Sequence, residues 1–161
     1  MIGILSDSHD NLTRVREAVR LFRKSGCSLV LHAGDFVAPF AARELVDLGC
    51  PVKAVFGNCD GEREGLKRAL SPFGEIRREP FLFEAEGLKI LLTHREHLIM
   101  SYLRTDDLDV LVYGHTHKPE VRREGITLVL NPGETGGWVS RESTVAILDP
   151  ATLTAEILPL V

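Results

Sequence analysis

The chain has 161 residues, of which 44% are hydrophobic and 26% are charged, and it carries a formal net charge of −4 at pH 7. This length can form one domain with a full core, and the composition is that of an ordinary globular protein. No run approaches the roughly 18 consecutive apolar residues of a membrane span. The acidic balance, without a long basic run, argues against a nucleic-acid groove.

The start of the chain and its cysteines both favour a protein of the cytoplasm. Residues 1–5 enter a strand pattern directly, without a basic segment, which does not fit a signal peptide. The cysteines Cys27, Cys50 and Cys59 are an odd number at irregular spacing. Such a set suits a reducing compartment better than a disulfide framework. We therefore expect a cytoplasmic location.

In the first half of the chain, predicted strands alternate with predicted helices. The order is strand 2–5, helix 11–24, strand 29–31, a helix through residues 41–48, strand 52–56 and a helix around residues 62–70. We expect Asp10 or Asn11 to cap the first helix and Gly26 to close it, while Gly49 ends the second helix. Such alternation favours right-handed β-α-β units and a parallel sheet.

Hairpins dominate the second half of the chain. The pairs are strands 81–83 and 88–92 around Glu86-Gly87, strands 120–123 and 127–130 around Glu124-Gly125, and strands 145–148 and 153–158 around Asp149-Pro150. A helix near residues 96–104 precedes an apolar strand at 110–113. We predict one domain, residues 1–161, of the α/β class. Its two mixed β-sheets are packed face to face with helices outside, in four layers.

Polar side chains follow five of the predicted strands at the point where each strand ends. The five segments are Ser6-Asp7-Ser8-His9, Gly34-Asp35, Gly57-Asn58-Cys59-Asp60, Thr93-His94 and Gly114-His115-Thr116-His117. In open α/β sheets, ligands bind beyond the carboxyl ends of the strands. One such segment is routine, and a lone His-x-His is more often a polar loop than a metal site. Five in succession are hard to assign to chance, so they predict a metal site.

The predicted metal ligands are seven residues with oxygen or imidazole donors. They are Asp7, His9, Asp35, Asn58, His94, His115 and His117. Seven donors are too many for one transition-metal ion and suit two ions that share a carboxylate, for which Asp35, alone on its loop, is the natural choice. Two divalent ions with Asp7, Asp35 and a bridging hydroxide would leave a charge of about +1, which favours a phosphate anion.

The ordered pattern D-x-H, GD, GN-x-D, H and GHTH resembles the calcineurin-like metallophosphoesterases, and most closely their small YfcE-type phosphodiesterases. The resemblance extends to Asn131-Pro132-Gly133. It implies hydrolysis of a small phosphoester by two divalent transition-metal ions, with manganese preferred over nickel, iron, zinc or cobalt. It also implies which residues hold each ion. One metal would take Asp7, His9, Asp35 and His117, and the other Asp35, Asn58, His94 and His115. A hydroxide between the ions would attack phosphorus in line.

Five residues are candidates for a catalytic role beside or within this ligand set. Asn58 and His94 are candidates as ligands, and Cys59 stands where larger family members have a histidine that assists the phosphate or the leaving group. Cys59 could take that role or only pack. Asp60 could order the histidine loops through hydrogen bonds or form a turn before the next residue. His97 could protonate the leaving group or be a surface histidine.

Four further residues carry expectations about the surroundings of the site. The resemblance places Arg95 where the family usually has glycine, and Glu134 where it usually has serine. We expect Arg95 to bind a substrate phosphate and Glu134 to pair with Arg95. Trp138 could stack on a substrate ring, although a packing role is favoured. We expect His32 to hydrogen-bond within the support of the site.

Two other functions remain alternatives. The same fold serves as a non-catalytic subunit of the retromer coat, so a protein-interaction scaffold is the main alternative. A complete ligand set favours the enzyme. A structural zinc site is disfavoured on residue type, because such sites prefer four Cys or His ligands and no cysteine is among the predicted ligands. No membrane or clear nucleic-acid partner is expected. The chain could form a homodimer. The sequence does not determine which substrate is hydrolysed, whether diesters are preferred over monoesters, or which metal is bound.

Overall fold

The computed structural model describes residues 1–105 and 107–161. The helices are α1 Leu12–Lys24, α2 Pro39–Arg43, α3 Arg63–Leu70 and α4 Ile99–Thr105, with 3-10 turns at Glu44–Leu48 and Glu96–Leu98. The strands are β1 Ile2–Leu5, β2 Leu29–His32, β3 Val52–Val55, β4 Gly74–Arg77, β5 Phe81–Ala85, β6 Leu88–Leu92, β7 Val110–Val112, β8 Glu120–Glu124, β9 Thr127–Asn131, β10 Thr144–Asp149 and β11 Thr154–Pro159. No helix in these two ranges is long and apolar enough to cross a membrane.

The strands form two mixed sheets. The first has the order β11-β10-β1-β2-β3-β4, in which β1 to β4 are parallel and β10 and β11 are added antiparallel. The second has the order β5-β6-β7-β9-β8, with β6, β7 and β9 parallel and the outer strands antiparallel. The predicted fold class is therefore confirmed.

Three apolar clusters separate four layers. Alternate side chains of β1 point to opposite faces, as the period of two requires, so Ile4 lies between the sheets while Leu5 faces the helices. The cluster between the sheets also contains Val112 of β7. The cluster under α1 to α3 contains Phe22, and a third cluster holds α4 against the far side of the second sheet through Leu111. The helices thus lie outside both sheets, as predicted.

Helix α1 packs closely on the backbone of β1. Asn11 caps it by accepting a hydrogen bond from the backbone N–H of Arg14 at 3.3 Å, one of the two predicted caps. The buried face of the helix ends in Phe22, whose ring lies directly over Gly3. A Cβ atom on Gly3 would approach ring atom Cδ1 of Phe22 to 2.7 Å, so this contact requires glycine.

The structure corrects three of the predicted elements. The predicted helix at 41–48 is a short α2 followed by a 3-10 turn, which ends at Gly49 in the left-handed conformation, as predicted. The predicted helix at 96–104 begins as a 3-10 turn and becomes α-helical only at Ile99. Strand β4 was not predicted at all. It has a single buried side chain, Ile76, so it lacks an apolar pattern.

Candidate metal centre

The five predicted ligand loops lie at the carboxyl ends of strands β1, β2, β3, β6 and β7. Because these strands run parallel within their sheets, their ends meet at one edge of the molecule. Hydrogen bonds join the loops. The backbone N–H of Asp7 donates to Gly34 O at 2.9 Å, and that of Gly114 donates to His94 O at 3.0 Å. Between the two sheets, the N–H of His115 donates to Oδ2 of Asp7 at 3.0 Å.

Asp7, His9 and His117 form one group of possible metal ligands. Oδ1 of Asp7 lies 3.3 Å from Nε2 of His117 and 3.9 Å from Nε2 of His9. Oδ1 of Asp7 and Nε2 of His9 are buried without a hydrogen-bond partner among the residues that the structure describes. Buried polar atoms are nearly always satisfied, so these two fit the predicted metal ion, which would use both donors.

Asp35 connects this group to a second one, which contains Asp7, Asp35 and His94. Oδ2 of Asp35 lies 3.6 Å from Nε2 of His9 and 3.5 Å from Nε2 of His94. Its other oxygen, Oδ1, accepts the backbone N–H of Cys59 at 2.8 Å. Burial disfavours the charge, but His94 and Cys59 outweigh it and hold the pKa of Asp35 well below its usual range. The position between two imidazoles suits a bridging carboxylate.

His94 is oriented by a backbone carbonyl. Its Nδ1 lies 2.7 Å from Ala33 O, which can only accept, so Nδ1 carries the hydrogen. Its Nε2 lies 2.9 Å from Oδ1 of Asn58. Burial lowers the pKa of His94, but hydrogen bonding and charge from Asp35 outweigh burial and raise it. A metal ion would replace the proton on Nε2, with Asn58 as a neighbouring donor.

The two remaining predicted ligands lie at the exposed rim of the same region. Asn58 contacts His94 as described, and the ring of His115 lies 5.1 Å from the ring of His94, edge to face. Both side chains are exposed, whereas Asp7 and His94 are fully buried. The structure therefore brings all seven predicted ligand residues to one edge, with carboxylates inside and His115 and Asn58 outside.

Five of these seven residues have a left-handed backbone. The φ angles are 52° at Asp7, 40° at His9, 61° at Asp35, 67° at His115 and 60° at His117. Positive φ is uncommon outside glycine and concentrates at functional sites. Aspartate and histidine adopt this conformation more often than most residues, but they also occur in many other loop geometries, so the sequence did not predict it.

Asp60 fixes the loops that carry Asp35 and Asn58. The side chain is 2% exposed, and its oxygens accept the backbone N–H groups of Asp35 at 3.0 Å, Val37 at 2.8 Å and Gly57 at 2.7 Å. Of the two alternatives for Asp60, the hydrogen-bonding one fits the structure, but the donors belong to the β2 and β3 loops rather than to the histidine loops. Its contribution to the site is to position Asp35.

Cys59 and His97 differ in how near they lie to the ligands. The Cys59 sulfur lies within 4.8 Å of donor atoms of His9 and Asp35, at an exposed position. Burial and the neighbouring Asp35 raise the pKa of its thiol to about 11. His97 is exposed on the 3-10 turn before α4 and lines a separate cavity of about 250 Å³ that includes Thr93. None of the seven predicted ligands lines that cavity.

Glu134 occupies a place that the sequence did not reveal. The residue is fully buried, and its carboxylate accepts the backbone N–H groups of Trp138, Val139 and Ser140 at 2.6–3.1 Å. Its Oε2 lies 3.4 Å from Nδ1 of His117, which is an ionic contact, because this buried nitrogen has no hydrogen-bond partner among the described residues. Burial opposes the charge, but these donors outweigh it and lower the pKa of Glu134.

The predicted pair of Arg95 with Glu134 was wrong. Arg95 instead pairs with Glu79, at 3.5 Å between Nη1 and Oε1. The reason is topological: Glu134 follows β9 and turns back towards His117, whereas Arg95 follows β6 beside the segment before β5.

Trp138 and His32 complete the surroundings of the site. Trp138 is 64% exposed, and its indole N–H donates to His9 O at 3.0 Å, so the expected packing role was wrong. The expected support by His32 is confirmed. Its Nε2 lies 3.1 Å from the Ser8 hydroxyl, and its Nδ1 accepts the N–H of Gly34 at 3.2 Å. Burial lowers the pKa of His32 to about 3, so the ring is neutral.

Residues 1–152 match the family model of the calcineurin-like phosphoesterase superfamily domain. The chain belongs to this family. It is 37% identical to phosphodiesterase MJ0936 of Methanocaldococcus jannaschii over 152 residues, which are 92% of each chain. It is 30% identical to phosphodiesterase YfcE of Escherichia coli over 146 residues, 80% of this chain and 75% of YfcE. The resemblance is thereby confirmed, as is the enzyme class, a hydrolase of phosphoester bonds.

Solved structures agree with this assignment. A novel archaeal phosphodiesterase superposes with a TM-score of 0.93 at 34% identity and covers 99% of both chains. Vps29 of Entamoeba histolytica superposes with a TM-score of 0.73 at 20% identity over 98% of both chains, which shows a shared fold alone. The family implies divalent metal ions, and the donor atoms around Asp7 and Asp35 fit them.

Proposed function

We propose that this member of the superfamily is a phosphodiesterase that uses two divalent metal ions. One observation supports a paired site above all others. Oδ2 of Asp35 lies 3.6 Å from an imidazole nitrogen of His9 on one side and 3.5 Å from one of His94 on the other. A single carboxylate oxygen placed between two imidazole donors is the arrangement that a shared ligand requires.

The proposed ligand sets are those that the family resemblance implies, with Asp35 shared between them. Asp7, His9, Asp35 and His117 would hold one ion, and Asp35, Asn58, His94 and His115 the other. Manganese is the first choice, with nickel, iron, zinc and cobalt as alternatives, because imidazole and carboxylate donors accept all of them. When bound, such a pair supplies an activated water nucleophile at neutral pH and stabilises charge on the phosphoryl oxygens.

The reaction itself requires few protein groups. The oxygen of water bonds to phosphorus and the water gives up a proton, while the bond from phosphorus to the leaving oxygen breaks and that oxygen takes up a proton to form the alcohol. The chain orients its donors through the carbonyl of Ala33 on His94 and the carboxylate of Asp60 on the Asp35 loop. Cys59, beside the ligands, and His97, in the separate cavity that includes Thr93, stay the predicted candidates for the proton donor.

Replacing the proposed bridge tests the paired site. Asp35→Asn keeps the shape and tolerates the left-handed backbone but removes the negative charge. We expect kcat/KM for bis-p-nitrophenyl phosphate with added manganese to fall at least about 100-fold. We also expect equilibrium dialysis to show two bound manganese ions per chain in the wild type and fewer in the variant. Asp47→Asn, an exposed carboxylate on the 3-10 turn after α2, is the matched control and should change neither quantity.

Two outcomes would contradict the proposal. Turnover that survives chelation by EDTA would exclude a metal-dependent hydrolase. Absence of turnover with manganese, nickel, iron, zinc and cobalt alike would instead favour the non-catalytic scaffold. That residues 1–161 act as one domain in the cytoplasm, alone or as a homodimer, stays a prediction.

A further inference from the structure

A basic cavity lies directly beside the proposed metal centre. It measures about 180 Å³ and is lined by Phe56, Gly57, Arg63, Arg78, Glu79 and Arg95. We call it the arginine pocket after its three guanidinium groups. It borders the ligands, because Gly57 immediately precedes Asn58 and a Cβ on Gly57 would lie 2.0 Å from Oδ1 of Asp35.

Arg63 is held in place from two sides. Its guanidinium carbon lies 5.1 Å from the centre of the Phe56 ring, and its Nε donates to Asp60 O at 3.2 Å. A cation–π contact with an aromatic ring restrains a guanidinium while leaving its outer N–H groups available. No hydrogen bond from those outer groups to any described residue is present.

Glu79 offsets only one of the three positive charges, and its Oε2 is already filled by neutral donors. Oε2 accepts the Thr93 hydroxyl at 2.9 Å, the His94 N–H at 2.6 Å and the Arg95 N–H at 3.0 Å. The Arg95 guanidinium reaches only Oε1, at 3.5 Å. Glu79 thus anchors the loop after β6, and Arg95 keeps hydrogen-bond donors for another acceptor.

Arg78 has no partner in the part of the chain that the structure describes. It is exposed, directly follows β4, and makes no hydrogen bond or ion pair with a described residue. Three guanidinium groups therefore surround one occupied carboxylate, in a chain whose net charge is −4. A local positive excess in an acidic molecule attracts an anion.

We propose that the arginine pocket binds a second phosphate group of the substrate. The preferred substrates would then be phosphoesters that carry another phosphate near the scissile bond. One guanidinium group can donate two parallel hydrogen bonds to two oxygens of a phosphate. A phosphate dianion can accept hydrogen bonds from several arginines at once. This inference rests on the proposed function, because the metal centre defines where the scissile bond lies. The binding of the second phosphate depends on the arginine pocket alone.

Two diesters with the same leaving group test this preference. Phenyl p-nitrophenyl phosphate and 4-phosphonophenyl p-nitrophenyl phosphate both release p-nitrophenol, and only the second carries an additional, non-hydrolysable anion. We expect manganese-loaded wild type to prefer the phosphonate, and Arg78→Ala to lower the ratio of the two kcat/KM values about tenfold. Arg78→Lys should restore part of the ratio. Arg20→Ala, at an exposed arginine on α1, is the control and should leave the ratio of the two kcat/KM values unchanged.

A binding measurement separates the pocket from catalysis. In EDTA and low salt, inorganic pyrophosphate should bind wild type measurably by calorimetry, and Arg78→Ala and Arg63→Ala should each weaken binding about tenfold. If wild type hydrolyses neither diester, the proposed function fails, and the pyrophosphate result alone decides for or against the pocket. An unchanged kcat/KM ratio, or equal pyrophosphate affinity in both arginine variants and wild type, overturns the inference.

Discussion

Glu134 shows how one buried carboxylate can serve both the loop and the ligand beside it. Three backbone N–H groups from Trp138 to Ser140 fill its oxygens, and Oε2 also faces Nδ1 of His117. A carboxylate on the outer nitrogen of a metal-binding histidine fixes the ring and increases its basicity. Glu134 is therefore expected to support His117 from behind.

The change Glu134→Gln tests this support at a single atom. The amide keeps the size and one acceptor oxygen, but it removes the charge from His117. We expect manganese affinity, measured by calorimetry, to fall about 10–100-fold. Glu142→Gln, an exposed residue of the same loop region, should leave the affinity unchanged. Equal affinity in Glu134→Gln and wild type would show that Glu134 only holds the loop.

Residue types at strand ends were predictable, and their partners were not. The seven donors stand out because each follows an apolar run, and parallel strands bring such positions to one edge. Glu134 was noticed as an unusual residue, but its contact with His117 depends on how the loop after β9 turns back. No local pattern encodes that path, so the sequence paired Glu134 with Arg95 instead.

Among the elements, β1 and α1 illustrate a contact that fixes the layer structure. Gly3→Ala would place a methyl group 2.7 Å from the Phe22 ring, which is fully buried and has little room to move. We expect a loss of about 1–3 kcal/mol in the free energy of unfolding, measured with urea. Gly61→Ala is the control, because no atom lies within 4 Å of its added Cβ, and it should change stability by less than about 0.5 kcal/mol. A Gly3→Ala variant as stable as wild type would contradict the close packing.

Elements with a clear period were predicted well, and short irregular ones were not. The hairpin of β5 and β6 was found because Glu86-Gly87 suits a two-residue turn, and both residues have positive φ. Strand β4 was missed because it is short and mostly polar. Arg78 follows β4, so without that strand the sequence could not place it near Gly57.

At the scale of the whole molecule, buried acidic groups collect at the metal edge. Asp7, Asp35, Asp60 and Glu134 are each at most 2% exposed. Asp60 and Glu134 are satisfied by backbone donors, whereas Oδ1 of Asp7 lacks a partner among the described residues. Bound cations would offset this concentration of charge, so metal binding should be coupled to the stability of the whole fold.

Metal binding should therefore raise the melting temperature. A ligand at 100 times its Kd stabilises the native state by about 2.7 kcal/mol, which for a domain of this size corresponds to roughly 5–10 °C. We expect calorimetry to show such a rise with manganese and its reversal by EDTA. The double variant Asp7→Asn, Asp35→Asn should melt at the same temperature with and without the metal. An equal rise in the double variant would mean that manganese binds elsewhere.

The left-handed backbone at five of the proposed ligands has a consequence for protein engineering. Each non-glycine residue in that conformation costs about 1–3 kcal/mol relative to a relaxed loop. Glycine or asparagine at such positions would relieve the strain and make the chain more heat-resistant, while removing the donors that would hold the ions. Selection of variants for thermal stability alone would thus favour a stable but inactive protein. The ligand loops need to be kept unchanged while the stability of the helices and outer strands is increased.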